Sequence, residues 1–332
     1  GTSGTIGATI CDTTILLEHA FRRTGQLAPS ISAEQQLSAK ENLFFMLSDL
    51  ANRGISLWCV QKNILGVALN QKIYNLPIGT VDVLRANYRS ASFVGTPASA
   101  SALVWATDSG SSNSNAVTTI GVLSATAQTL TLVVETSPDN STWTTLYTPS
   151  AFTTVAGLTY WFDIEPTTAA RYWRIRETVL PALTLTTAEF GYSTNEVPMS
   201  PYNRDDYVNL PNKDFASSRP LQYWYDKQYA VPRLWLWPVP NDIATQMVVW
   251  THRQIQDVGA LSNTLEIPQR WMEAIIFLLA EHVALEIPPD KLPPGRLEYL
   301  AAKAEYHLKR AEDGETDGAP IRLVAQIGVY TR

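Results

Sequence analysis

The stretch VVETSPDNSTWTTLY, Val133–Tyr147, has the pattern of a β-hairpin. Runs rich in valine and threonine flank a turn of proline, aspartate and asparagine, which is typical of two antiparallel strands. The surrounding segment, 93–194, contains 22 of the chain's 34 threonines and no lysine, and threonine favours pleated, half-exposed surfaces. Similar runs recur on both sides of the hairpin: AVTTIGVLS, TYWFDIE, RYWRIRET and LTLTTAEFGY. Their regular spacing predicts an antiparallel sandwich or jelly roll.

The segment before this β-rich region predicts two helices. TTILLEHAFRRTG has apolar residues at helical intervals and ends at Gly25, a residue that commonly terminates helices. SAEQQLSAKENLFFMLSDLANRG begins with Ser32 and Gln35, which have the spacing of a capping box. Short, partly alternating runs follow and predict strands before the β-rich region begins.

The segment after the β-rich region predicts a small sheet and two more helices. LQYWYDKQY, PRLWLWPVP and QMVVWTHRQI indicate an aromatic antiparallel sheet. Pro268 then precedes QRWMEAIIFLLAEHVALEI, which is apolar almost all round, so we expect this helix to be buried on several sides. RLEYLAAKAEYHLKRAEDG indicates a final, amphipathic helix.

These patterns predict an α+β chain of several domains. We expect a helical body with a small antiparallel sheet, plus an inserted all-β sandwich, because exposed loop tips tolerate domain insertion. The predicted boundaries are 1–92 for the N-terminal part of the body, 93–194 for the sandwich, 195–312 for the C-terminal part of the body with its aromatic sheet and two helices, and 313–332 for a C-terminal arm.

Composition excludes several classes of protein. The chain has 332 residues, of which 45% are apolar, and a net charge of −6, so it can bury a sizeable core and lacks the basic excess of a protein that grips nucleic acid. Two cysteines make neither a disulfide framework nor a zinc site. The first residues lack the pattern of a signal peptide. The most apolar stretch, Trp271–Leu285, is too short and too charged to span a bilayer, so we expect no membrane partner.

The sequence offers little catalytic chemistry. His282 and Glu286 share a helix face, but two ligands do not make a metal site, and a contact within the helix explains the spacing. Asp163 and Glu165 share a strand face and could form the carboxylate pair of a glycan-active enzyme, although such a face is more often solvated. No phosphate-binding loop or nucleophile elbow is present. We therefore predict no enzymatic activity, no cofactor and no metal.

The middle segment resembles the discoidin or galactose-binding-like β-sandwich. The residues that carry the resemblance are IGVLS, ETSPDNSTWTTL, YWFDIEPTTAARYWRIRE and LTTAEFGY, with Asn140 standing where glycine is common in that family. The resemblance implies the sandwich fold, and it raises sugar binding as an alternative through Trp143, Tyr160 and Trp161. Binding loops vary freely on such a scaffold, so the fold alone does not imply a ligand.

The flanking segments resemble bacteriophage head-to-tail adaptor proteins, the connectors of short-tailed phages. The resemblance rests on the two N-terminal helices, YVNLPNKDFASSRPLQYWYD, LWLWPVPND and EIPQRWMEAIIFLLAEHVALEI, in that order. It implies a homo-oligomeric ring of roughly a dozen copies. The ring would bind the portal protein on one side and tail or nozzle proteins on the other, and DNA would cross its lumen without sequence-specific binding. The location implied is the head–tail junction of a virion assembled in the host cytoplasm.

The adaptor hypothesis predicts two sets of contact residues. Subunit packing is expected on the apolar helix, at Trp271, Ile275, Leu278 and Leu279. Beyond the hinge-like EDGETDGAP, an alternating apolar tail predicts a portal-docking arm, with these residues: Ile321, Leu323, Val324, Ile327, Val329 and Tyr330. Two alternatives remain open, namely a carbohydrate-binding module protein and another structural component of the tail or baseplate.

Overall fold

The computed structural model describes residues 11–26, 31–53, 57–95, 98–99, 104–108, 117–164, 169–179, 185–241, 245–255 and 257–315. The chain divides into two compact units. One unit, which we call the helical unit, combines the two ends of the chain, Gly1–Cys59 and Gln254–Arg332. The other, the β unit, is the continuous segment Val60–Arg253.

Five α-helices lie within the described residues. Their bounds are α1 Thr13–Thr24, α2 Ala33–Arg53, α3 Arg204–Val208, α4 Met272–Glu286 and α5 Arg296–Asp313. Four of them, α1, α2, α4 and α5, belong to the helical unit. None of the helices in the described part of the chain is long and apolar enough to cross a membrane.

Helix α4 lies at the centre of the helical unit. It packs against α1, α2 and α5, and nine of its fifteen residues are buried. Such a helix is buried because apolar residues occupy every side of it, as the sequence predicts. Leu16, Leu43 and Leu300 bring α1, α2 and α5 into the same core. The predicted burial of this helix against the N-terminal helices is confirmed.

Local capping residues explain where the N-terminal helices begin and end. The Asp12 carboxylate accepts a hydrogen bond of 2.8 Å from the Ile15 N–H at the start of α1, and Gly25 terminates α1 with a φ of 99°, which favours glycine. Ser32 and Gln35 form the predicted capping box before α2, because each backbone N–H donates to the other's side chain at 2.9 and 3.2 Å.

Nineteen strands lie within the described residues of the β unit. They are β1 Val60–Gly66, β2 Ile73–Asn75, β3 Thr80–Gly95, β4 Ala98–Ser99, β5 Val104–Asp108, β6 Thr119–Leu123, β7 Thr129–Leu130, β8 Leu132–Ser137, β9 Thr144–Tyr147, β10 Phe152–Thr153, β11 Thr159–Asp163, β12 Tyr172–Glu177, β13 Thr187–Pro198, β14 Ser200–Tyr202, β15 Ala216–Ser217, β16 Gln222–Asp226, β17 Arg233–Trp237, β18 Val239–Pro240 and β19 Thr245–Arg253.

The central feature of the β unit is a six-stranded antiparallel barrel. Its strands follow the order β1-β11-β6-β13-β3-β19, and β19 pairs back onto β1 along seven residues of that strand. The barrel is closed between β1 and β11, where Leu65 pairs with Tyr160. We call this junction the seam.

A five-stranded sheet, β4-β5-β12-β8-β9, covers one side of the barrel. Strands β6, β11 and β13 supply Ile120, Phe162 and Phe190 to the shared core, and the five-stranded sheet supplies Trp173 and Ile175. This pair of layers is the predicted antiparallel sandwich. The fold is therefore α+β with a sandwich-like part, and the hairpin quoted first is β8–β9.

The sandwich shares its strands with the rest of the β unit. The predicted boundaries at 93 and 194 lie inside β3 and β13, and these two strands pair continuously from Asn87–Pro198 to Gly95–Phe190 apart from two register shifts. The compact unit extends instead from Val60 to Arg253. The reason is that the edges of β6, β11 and β13 are paired with neighbours, and some of those neighbours, β1 and β3, begin before residue 93.

The aromatic hairpin β16–β17 forms as predicted, with Trp224 opposite Trp235. It lies in a four-stranded sheet, β14-β16-β17-β2, which packs on the barrel through Tyr223 and Leu234. The third predicted strand of this sheet, QMVVWTHRQI, is instead barrel strand β19. The correction has a physical reason: β19 is long enough to pair on both edges, with β1 and β3, whereas the hairpin is completed by the short strands β2 and β14.

Candidate functional site

A cavity of about 950 Å³ opens at the seam of the barrel. Its walls come from β1, from the segment after β2, and from β11, and most of its lining side chains are apolar or aromatic. Ile64, Leu76, Leu158 and Tyr160 are examples. The volume is within the range of small-molecule sites, about 300–1,000 Å³. We call it the seam cavity.

The strand geometry explains why a cavity forms at this point. Within the described part of the chain, β1 and β11 pair at Leu65 and Tyr160 only, so the two strands separate toward Lys62 and Asp163. At Gly66 the backbones are very close, because a Cβ atom there would lie 2.4 Å from the Thr159 carbonyl oxygen. The seam is therefore tight at one end and open at the other.

An ion pair closes the open end of the seam. The Lys62 Nζ lies 2.5 Å from Asp163 Oδ2, and both side chains line the seam cavity. The Arg89 guanidinium binds the same carboxylate through two hydrogen bonds, of 2.8 and 3.2 Å. A salt bridge thus holds β1 to β11 where the backbone ladder has ended.

Further polar side chains lie next to Asp163 in the interior of the barrel. Tyr160 and Phe162 pack with the sandwich core, so Asp163, one residue on, faces the barrel interior. There Arg89, whose side chain is 3% exposed, also contacts Glu196 at 3.2 Å and Gln246 at 3.4 Å. A buried guanidinium needs such partners, because an unpaired buried charge is costly.

The environment of Asp163 determines what it can do chemically. Burial alone would raise its pKa, but hydrogen bonds from Arg89 and Lys62 outweigh burial and lower the pKa below the ordinary value. Asp163 is therefore ionised at neutral pH and suited to accept hydrogen bonds rather than to donate a proton. Glu165, its proposed partner in a carboxylate pair, lies outside the described residues.

The three residues considered for sugar contact do not share one surface. Tyr160 and Trp161 line the seam cavity, and the Tyr160 ring stacks on Phe152 at 4.0 Å between centroids. Trp161 is buried with its ring against Gly121. Trp143 is elsewhere, under the Arg174 guanidinium at 4.2 Å from its ring centroid. The structure thus brings together two of the three.

The predicted subunit-packing residues lie in the core of the helical unit. Trp271, Ile275, Leu278 and Leu279 are all buried within one chain, so they stabilise the subunit itself. A role for them in contacts between copies stays a prediction. The predicted portal-docking arm, Ile321, Leu323, Val324, Ile327, Val329 and Tyr330, lies outside the described residues.

Glu286, which was considered together with His282 as a metal ligand on α4, has a structural role. Glu286 accepts hydrogen bonds from Ser38 at 2.7 Å and from Asn42 at 2.6 Å, and so ties α4 to α2. Among the described residues, no group of three or more histidine, cysteine, aspartate or glutamate side chains is placed to hold a metal ion.

Lys62 and Arg89 were not predicted from the sequence as residues of a site. Lys62 is 101 residues from Asp163, and Arg89 is 74 residues from it, so no local spacing relates them. Lys62 is the one charged residue of β1, but Gln61 and Asn63 flank it, and Arg89 shares β3 with Asp82 and Arg85, so neither residue stands out in the sequence. No model of a known protein family matches the sequence, and no curated protein matches it.

Proposed function

We propose that this chain is a structural protein of a bacteriophage virion, a head-to-tail adaptor that docks under the portal as a ring of roughly a dozen copies. The ring connects the portal to tail or nozzle proteins, and DNA crosses its lumen. The net charge of −6 is compatible with passage, because a surface without a basic excess does not hold phosphates by counterion release. On this proposal the chain is not an enzyme.

One observation carries the proposal. The segments that resemble head-to-tail adaptors come from both flanks of the threonine-rich region, and their helices share one core. Helices α1 and α2 from the first flank pack on α4 from the second, although residues 60–253 separate them in the chain. The resemblance implies a helical body assembled from both flanks, and this packing supports it.

The test is to measure the mass of the purified protein, alone and mixed with the portal protein of the same phage. Light scattering gives the mass, and negative-stain electron microscopy gives the shape. We expect a ring whose mass is a multiple of the 36.8 kDa chain and which binds the portal. A ring that does not bind the portal protein would favour another tail or baseplate component. A stable monomer that does not bind the portal protein would contradict the adaptor function.

The seam cavity favours a second candidate, a carbohydrate-binding protein. Its aromatic wall at Tyr160 and its ionised Asp163 combine the two features that hold a sugar, a flat apolar face and strong hydrogen-bond acceptors. A glycan array tests this candidate, and an array without hits would remove it. If a glycan binds, Tyr160→Ala should weaken binding at least about tenfold, whereas Trp143→Ala should not, because Trp143 does not line the cavity.

A further inference from the structure

Helix α2 has an exposed stripe of apolar and acidic side chains. Leu37, Glu41, Phe44 and Ser48 follow one another at four-, three- and four-residue steps, so they lie along one face of the helix. Leu37 is 57% exposed and Phe44 is 44% exposed, and Glu41 is also exposed. We call these four residues the α2 stripe. Phe45, which borders the stripe, is 63% exposed.

Helix α5 has a stripe with the same spacing and the opposite charge. It consists of Tyr299, Lys303, Tyr306 and Arg310, and we call it the α5 stripe. The two tyrosines are 49% and 55% exposed. The Lys303 Nζ lies 5.9 Å from the Tyr299 ring centroid and 5.5 Å from that of Tyr306, so cation–π attraction keeps the ammonium group over the aromatic pair.

Both stripes point away from the core of their own unit. The opposite face of α2 is buried through Leu43 and Leu47, and that of α5 through Leu300 and Leu308. Large aromatic and aliphatic side chains concentrated on a surface, next to charged ones, mark a protein interaction site. Aromatic residues in particular lead the composition of binding hot spots.

Charge decides which stripes can meet. In either relative direction, two α2 stripes facing each other would bring their Glu41 side chains within about one helical turn of each other. Two α5 stripes would do the same with their Lys303 side chains. Contact between an α2 stripe and an α5 stripe instead opposes an acid to bases and apolar rings to apolar side chains. The matched steps extend over twelve residues, or about 16 Å of helix. In either relative direction, Glu41 comes within about one helical turn of Lys303.

We propose that the α2 stripe of one copy docks on the α5 stripe of the next copy. Because the two surfaces differ, the contact is heterologous, and heterologous contacts build rings or open filaments rather than two-fold dimers. The inference rests on the proposed function only for closure into a ring. The contact itself requires no portal and no other partner.

Charge reversal tests the contact directly. Glu41→Lys and Lys303→Glu are each expected to raise the protein concentration needed for assembly at least about tenfold, because each places like charges together. Sedimentation velocity over a concentration series measures assembly. The matched control is Glu305→Lys, a charge reversal on α5 at an exposed position outside the stripe, which should assemble like the wild type. Circular dichroism melting shows whether each variant is folded.

Two rescues distinguish a specific contact from a general charge effect. The double variant Glu41→Lys/Lys303→Glu should assemble again, since it restores opposite charges with the signs exchanged. An equimolar mixture of the two single variants should also assemble, because every contact in an alternating arrangement then pairs a lysine with a glutamate.

The outcomes separate this inference from the proposed function. If the wild type forms rings and both single variants form them equally well, the stripe contact is wrong and the ring must use another surface. If the wild type stays monomeric at every concentration yet binds the portal, the stripe contact is wrong and the adaptor function stands. If the variants lose portal binding but not self-association, the stripes meet the portal, and the proposed contact between copies is again overturned.

Discussion

Trp271 joins three parts of the helical core. Its ring lies edge-on to Trp58, with 4.8 Å between ring centroids, and its Nε1 donates a hydrogen bond of 3.1 Å to Glu315. The side chain is 4% exposed. Removing it would leave a cavity and a partly uncovered second tryptophan, while Glu315 would keep its hydrogen bonds from Arg270.

Trp271→Ala should therefore lower the free energy of unfolding of the helical unit by about 3–5 kcal/mol. Chemical denaturation followed by far-ultraviolet circular dichroism measures the change. Leu285→Ala, on helix α4, which begins directly after Trp271, is the matched control, because Leu285 is 66% exposed and its loss should change stability by less than about 0.5 kcal/mol. Equal effects from the two substitutions would show that Trp271 does not pack as described.

Because of Asp163, the free energy of unfolding of the β unit should fall as pH is lowered in the acid range. Because Arg89 and Lys62 lower its folded pKa below the unfolded value of about 3.9, its stabilisation is present above about pH 4. It is lost as pH falls through the folded pKa. Asp163→Asn should therefore cost about 2 kcal/mol at pH 7. It should also flatten the fall in melting temperature between pH 5 and pH 3, because the variant has no carboxylate to protonate at this position.

A matched variant controls for the general effect of removing a carboxylate. Asp205 lies in the same unit, and its side chain is 80% exposed, so Asp205→Asn should keep the acid dependence of the wild type. Glu135, whose pKa is also lowered because hydrogen bonds from Arg176 and Arg174 outweigh its burial, should leave part of the dependence in Asp163→Asn. An unchanged pH profile in Asp163→Asn would mean that the ion pair at the seam does not stabilise the folded chain.

At the scale of elements, strand β1 determines how the barrel closes. It pairs along its whole length with β19 but meets β11 only at Leu65 and Tyr160 within the described residues. The strand comes very close to the start of β11 at Gly66, where a side chain would collide with the Thr159 carbonyl oxygen. A backbone atom cannot move aside as a side-chain tip can, so a substitution there must push the strands apart.

Gly66→Ala should open the seam and lower the stability of the β unit by about 1–3 kcal/mol. Hydrogen exchange should speed up selectively at the amides of Leu65 and Tyr160, while the β3–β13 ladder on the opposite side of the barrel keeps its protection. Uniform acceleration across all barrel strands, or none at all, would contradict a local role for this glycine.

At the scale of the whole molecule, the chain passes from one compact unit to the other at two points. These points are Cys59–Val60 and Arg253–Gln254. Val60 pairs with His252, so the two crossing points are adjacent, and a short linker can join them.

A chain in which a short Gly/Ser linker joins residues 1–59 to residues 254–332 should fold on its own. We expect a helical circular dichroism spectrum and a cooperative melt, because α1, α2, α4 and α5 share a core among themselves. Replacing 93–194 by the same linker should instead unfold the β unit, since it removes β6 and β11 and truncates β3 and β13. If the second chain kept a cooperative β-rich melt and the first aggregated, the division into units would be wrong.

Much of the local structure could be predicted from the sequence. The capping box at Ser32 and Gln35, the end of α1 at Gly25 and the buried α4 helix all depend on residues within a few positions of one another. Periodicity and capping are properties of short segments, so they can be read without knowing what the segment packs against. The same holds for the hairpins β8–β9 and β16–β17, whose strands are adjacent in the chain.

The sequence by itself determined the four helices of the helical unit, the hairpins and the two β-rich regions, whereas the tertiary structure alone decided how the strands join. Composition suggested a boundary at 93 and 194, but hydrogen bonding carried β3 and β13 through both positions into one barrel. The seam cavity and the pairing of Lys62 with Asp163 likewise could not be predicted from the sequence, because the two residues are 101 positions apart. The physical reason is that each strand edge must find a partner, and which distant strand satisfies it depends on the whole sheet rather than on any local pattern.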